Sequence, residues 1–120
     1  MGITPVTVAI SDLAKSGTPY EGEFLVDTGA IDCLAPADQL DAAGVKREGK
    51  RVYELANGQP IELDYGFARV SFLGSETVAQ IIFGPIGAEP ILGVVALENT
   101  GVVVDPVTNT LKRLHAVPLK

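Results

Sequence analysis

A chain of 120 residues is long enough for one modest core, and with 47% apolar residues it has the side chains to fill one. Thirteen glycines and eight prolines punctuate short apolar runs, which favours an all-β domain over a helical bundle. A formal net charge of −6 argues against a nucleic-acid or anionic-membrane partner. Cys33 is the only cysteine, so an intrachain disulfide is excluded and a reducing compartment fits best. No apolar run approaches the ~20 residues that span a bilayer. The first residues lack the basic start and apolar core of a signal peptide, and Val6 stands where myristoylation wants Ser or Thr. The expectation is a cytoplasmic protein with residues 1–120 forming a single domain.

Residues 6–10 alternate apolar with small or polar side chains, as a half-buried strand does. Ser16-Gly17-Thr18-Pro19 is a turn signal, after which residues 20–26 return as the second strand of a long hairpin. Its end, Phe24-Leu25-Val26, reads as a strand buried on both faces. Residues 27–35 are expected to leave the sheet as a loop. Pro36 suits the first turn of a short helix over 37–43, which Gly44 is placed to end in the left-handed conformation.

Asn57-Gly58 lies between the alternating runs 51–56 and 59–63, a strong hairpin signal. Pro60 cannot donate to a ladder, so this hairpin is expected at an edge or projecting from the sheet. Residues 67–72 and 77–83 form another hairpin, and 84–90 a loop. Ile91-Leu92 is a very short strand ending at Gly93, 94–100 a helix of about two turns, and 102–114 a closing hairpin turning at 106–109. The two halves of the chain share a degenerate echo: hairpin, apolar strand ending at a glycine, short helix.

The chemistry concentrates at Asp27-Thr28-Gly29-Ala30, which follows the apolar strand with no polar spacer. A carboxylate at such a place costs several kcal/mol unless it is paired or used. Thr28 offers a hydroxyl, and Gly29 has no Cβ to keep other atoms away. The same three residues are also good turn formers, so a strand running into a plain turn explains them as well. Cys33 has no histidine nearby and reads as a small buried apolar residue. His115 has no Cys, Asp or Glu at ligand spacing, so no metal site is expected. No phosphate-cradling or dinucleotide motif is present, and no cofactor is expected. Asp38, Asp41, Glu62 and Asp64 read as solvated faces, with Arg69 a candidate partner for one of them.

The order apolar-apolar-Asp-Thr-Gly-Ala resembles the active-site signature of the aspartic proteases. With the hairpin tip Leu55-Ala56-Asn57-Gly58-Gln59 and the later Ile91-Leu92-Gly93, the whole order resembles the retropepsin-like (retroviral-type) branch, and within it the bacterial members. The likeness runs over about residues 4–114. It implies an all-β fold: a single closed acid-protease-type β-barrel with one or two short helices. It implies Asp27, Thr28 and Gly29 as the catalytic loop, the 55–59 tip as a flap, and a peptide held against Ala30, Ala56, Asn57, Gly58, Ile91, Leu92 and Gly93. Two departures stand out. Val94 follows Gly93 where retroviral enzymes have an arginine, and their N-terminal interface strand is absent, so the 102–114 hairpin would supply most of an interface sheet.

Aspartic-protease chemistry uses two carboxylates sharing one proton. Only Asp27 is in the required setting, because Pro106 follows Asp105 and excludes the same geometry there. The second carboxylate must come from Asp27 of another copy, across a two-fold axis. The resemblance gives Thr28 the task of hydrogen-bonding across that axis. The expected function is thus a homodimeric aspartic peptidase acting on peptide or protein substrates. The alternatives are a catalytically silent peptide-binding or dimerisation module of the same fold, and a structural barrel whose Asp-Thr-Gly is only a turn.

Overall fold

The computed structural model describes residues 2–117 and Leu119, residues 2–4 by their backbone alone. Its elements run β1 (Gly2–Ser11), β2 (Tyr20–Asp27), β3 (Cys33–Pro36), α1 (Ala37–Ala42), β4 (Arg47–Glu54), β5 (Pro60–Phe72), β6 (Ser75–Gly84), β7 (Ile91–Leu92), α2 (Val94–Asn99), β8 (Val102–Asp105) and β9 (Thr110–Arg113). The main sheet has the order β1-β2-β7-β3-β6-β5-β4. β5 also reaches back to β1 through the pairs Ala9–Ser71, Ile10–Val70 and Ser11–Arg69. Six strands therefore run round in a barrel whose seam is those three residue pairs, and β4 hangs outside it. β8 and β9 form a separate two-stranded sheet, pinned by Arg113, which donates to Ser75 Oγ at 2.5 Å and to the Leu73 carbonyl.

Alternation along the strands decides what faces inward. Val8 and Ile10, Phe24 and Val26, Ala68 and Val70 and Phe72, and Ala79 and Ile81 and Phe83 are all buried at period two. Leu40 of α1 and Ala96 and Leu97 of α2 close the same core. Leu25 is only half-buried, so β2 is not covered on both faces as its apolar run implied. Its outward residue sits beside the 84–90 loop, where Leu25 N donates to Pro90 O at 3.0 Å.

Two elements differ from expectation. The segment 27–35 is not all loop, because residues 33–36 form β3. This strand pairs in parallel with residues 81–84 of β6 and, through Leu34, with Ile91. Its strand state comes from partners almost fifty residues away, which no local signal announces. Pro36 closes β3 and caps α1 from outside, and Gly44 lies just beyond the helix at φ +86°. Second, the runs 59–63 and 67–72 are one strand. β5 continues through Asp64-Tyr65-Gly66, pairing with β4 up to Gly66 and with β6 from Tyr65. Gly66 is needed at the crossing: a Cβ there would lie 2.2 Å from Lys46 O. One half of β5 therefore belongs to the barrel and the other to the projecting hairpin, with Pro60 as first residue of the strand.

Asp41 and Asp64 are not merely solvated. Arg47 reaches both at 2.6 Å, and Lys50 holds Asp64 at 2.7 Å. These bonds hold the Asp64 carboxyl below the usual carboxylate range, the one from Lys50 first. Arg69 instead pairs with Glu76 at 3.2 Å and donates to Leu13 O at 2.6 Å. Between β1 and β2, Asp12 is a buried carboxylate that accepts from Gly17 N (3.0 Å), Ser16 Oγ (2.7 Å) and Ser16 N (3.2 Å). Those bonds, the Gly17 amide first, lower its pKa.

Candidate active site

Asp27 is the last residue of β2 and half-buried. The chain turns at once: Gly29 N donates to Asp27 Oδ1 at 2.9 Å, and Ala30 N to Asp27 O at 3.1 Å. The carboxylate is thus oriented by the loop it begins, and a Cβ on Gly29 would sit 3.2 Å from that same oxygen. Thr28 is exposed, and among the described residues nothing hydrogen-bonds its hydroxyl.

β7 sets the loop's position. It lies parallel to β2, Leu25 opposite Ile91 and Val26 opposite Leu92, and is wedged against β3 on its other side. The first backbone N–H groups of α2 then donate to the loop, Val94 N to Ala30 O at 2.8 Å and Val95 N to Ile31 O at 3.2 Å. A Cβ on Gly93 would meet the backbone C and O of Asp32 at 2.5 Å and Ile31 O at 2.6 Å. Only glycine fits beneath the loop. Leu92 is fully buried and Gly93 buried too, so these two support the loop from below, a different task from the substrate contact expected of them. Ala30, hydrogen-bonded to Asp27, and Ile91, opposite Leu25, are half-buried.

The Leu55–Gln59 stretch is a hairpin tip, exposed throughout. Leu55 N donates to Gln59 O and Gly58 N to Leu55 O, each at 2.8 Å, and Asn57 Oδ1 accepts from Gln59 N at 3.0 Å. Gly58 alone takes a positive φ here, +86°, so the turn is wider than the two-residue Asn-Gly turn the sequence signalled. The tip is tied to itself and carries Ala56, Asn57 and Gly58 at its end.

Further residues beside the loop gave no signal in the sequence. Ile31 is held 68% exposed directly after Ala30. Asp32 accepts from Gln80 Nε2 of β6 at 3.0 Å. Burial pushes its carboxyl up, and Arg51 and the Gln80 bond oppose that rise. Burial, then the Asp32 charge, also push up the phenol of Tyr53 on β4. Cys33 is buried, its thiol pushed up to about 11 mainly by that burial, which suits a packing residue and not a nucleophile.

Neither a protein-family model nor a curated protein sequence matches the chain. Among solved structures, the simian foamy virus (mac) protease is similar, with a TM-score of 0.55 and 14% identity over 78% of this chain and 91% of the viral one. At that identity the likeness is one of fold. The chain has the retropepsin fold, an all-β barrel with two short helices.

Proposed function

We propose that this chain is one subunit of a homodimeric aspartic peptidase of the retropepsin type, residues 1–120 forming one such domain. The observation that carries the reading is the setting of Asp27. It is a strand-end carboxylate oriented by the Gly29 amide at 2.9 Å, on a loop held from beneath by a glycine-only contact at Gly93. The Asp27–Gly29 bond is also that of an ordinary Asp-led turn; the glycine-only contact beneath the loop is the feature a plain turn does not ask for. The exposed Thr28 hydroxyl supports the two-fold, since a second copy of the loop would give it a partner.

In this reading two copies of Asp27 meet across the axis and hold one proton between them, because like charges about 3 Å apart cannot both ionise. The charged member takes a proton from a water lying between them. That water attacks the peptide carbonyl carbon while the neutral member gives its proton to the carbonyl oxygen. Collapse of the tetrahedral intermediate breaks the C–N bond, the amine leaving with a proton returned through the pair. A peptide lies extended, adding main-chain hydrogen bonds beneath the 55–59 tip, against Ala30, Ala56, Asn57, Gly58 and Ile91. The exposed Ile31 on the loop, with Leu55 at 43% exposure at the tip, supports a preference for apolar residues near the scissile bond. Membership of the bacterial branch and a reducing, cytoplasmic setting complete the proposal. Among the described residues no helix is long and apolar enough to cross a membrane.

Asp27→Asn tests it directly. Cleavage of a peptide library is expected to fall by about a thousandfold or more, with dimerisation, followed by sedimentation, retained. Unchanged cleavage would overturn the catalytic assignment. If no peptide is cut by the unaltered protein but peptides bind it, the silent binding module replaces the peptidase.

A further inference from the structure

The projecting hairpin has two unlike faces, and the strand register sorts residues between them. Directly opposed residues of antiparallel strands carry their side chains on the same side. Lys50 is opposite Asp64 and Val52 opposite Glu62, a mostly charged side on which Lys50 and Asp64 pair at 2.7 Å. Arg51 with Leu63, and Tyr53 with Ile61, lie on the other side. Tyr65 and Phe67 continue that side along β5, Phe67 opposite Gln80 of β6. Gln80 in turn donates to Asp32 at 3.0 Å. A largely apolar strip therefore runs from near the 55–59 tip to the loop that begins at Asp27.

Arg51 sets a charge within this strip, and its place is built. Gly49 lets the Tyr65 ring lie against β4: a Cβ there would sit 3.0 Å from the Tyr65 hydroxyl oxygen and 3.2 Å from two ring carbons. Phe67 meets that ring edge-on, the centroids 6.1 Å apart. The Arg51 guanidinium lies over the same ring, 4.8 Å from its centroid. Stacking holds a guanidinium by its flat face and leaves the N–H groups at its rim open to an acceptor. The other two cations of β4, Arg47 and Lys50, are spent on Asp41 and Asp64. Arg51 is exposed and makes no ion pair among the described residues. Asp32 lies within its electrostatic reach but is bonded to Gln80.

We propose that Arg51 is a specificity-determining residue: it takes an aspartate or glutamate side chain of the bound peptide, while Leu63, Tyr65 and Phe67 take apolar side chains beside it. A carboxylate accepts two N–H groups of a guanidinium side by side, whereas an amide of the same shape offers one acceptor. The inference rests on the proposed function for its ligand, a peptide, but not on the chemistry of Asp27. It is therefore tested with chains that cannot cut.

The probes are short fluorescent peptides of Leu, Val, Ala and Ser, in which one Glu, or Gln in its place, is moved through every position. Bound to Asp27→Asn chains at low ionic strength, Glu at one position is expected to tighten binding about tenfold over Gln. Adding Arg51→Gln is expected to erase that difference, Arg51→Lys to keep part of it, and Arg51→Glu to favour Lys in the peptide instead. Lys50→Gln, which removes a cation from the opposite face, is expected to leave the preference in place. Equal binding of Glu and Gln peptides at every position overturns the assignment. So does a preference that survives Arg51→Gln, one that Lys50→Gln erases as well, or an absence of binding altogether. Cleavage by chains that keep Asp27 separates this from the proposed function. Cutting without a Glu preference leaves the peptidase and removes the role of Arg51; a Glu preference without cutting keeps that role in a silent binding module.

Discussion

A methyl group on Gly93 has nowhere to go, because the atoms it would strike belong to the backbone of Ile31 and Asp32 and not to a side chain that can rotate. Gly93→Ala is therefore expected to cost about 1–3 kcal/mol in urea unfolding, and to displace the loop enough that any cleavage is lost well before the fold is. An alanine variant of normal stability would show that the loop does not rest on β7. Asp12 makes a second prediction at this scale. Its folded pKa lies below the ordinary 3.8 because it accepts from Gly17 and Ser16. The stabilisation is then fully present above that ordinary value and lost as pH falls through the folded one. Asp12→Ala is expected to be less stable than the unaltered chain at neutral pH, with the gap closing below about pH 4; a gap independent of pH would contradict it. The Asp27-Thr28-Gly29 motif was legible because its defining bond spans two residues. Asp32 was not, since Gln80 lies 48 positions away and nothing near Asp32 in sequence hints at it.

At the scale of elements, β2 and β5 carry the construction. β2 delivers the carboxylate from a core in which Phe24 is fully buried, and Phe24→Ala is expected to cost about 3–5 kcal/mol, read from the shift in the denaturation midpoint. β5 gives one half to the barrel and the other to the projecting hairpin, so the hairpin is an extension of a core strand. Alternation and turn residues made β1, β2, β6, both helices and the closing hairpin readable. Two things were not. β3 is four residues long and owes its state to β6 and β7, and an Asp-Tyr-Gly that resembles a break lies in mid-strand within β5. In each case a partner strand overrides the local signal. Gly66→Ala tests the second. Its Cβ would strike Lys46 O, so the variant is expected to loosen the β4–β5 ladder, seen as faster amide exchange in 47–66.

For the whole molecule, the barrel brings one Asp27 to one loop, and the chemistry proposed for it needs two. A shared proton requires cleavage to decline as pH rises above the upper pKa of the pair; a profile flat from acid to alkaline pH would contradict it. Mixing subunits is the most direct measurement of all. Asp27→Asn chains and unaltered chains, unfolded together in equal amounts and refolded, assemble at random if the site lies on a two-fold axis. Only dimers with two Asp27 carboxylates then cut, so cleavage is expected to be about a quarter of that of the same total of unaltered protein. Retention of about half would mean that each chain works alone, and the two-fold dyad would be wrong.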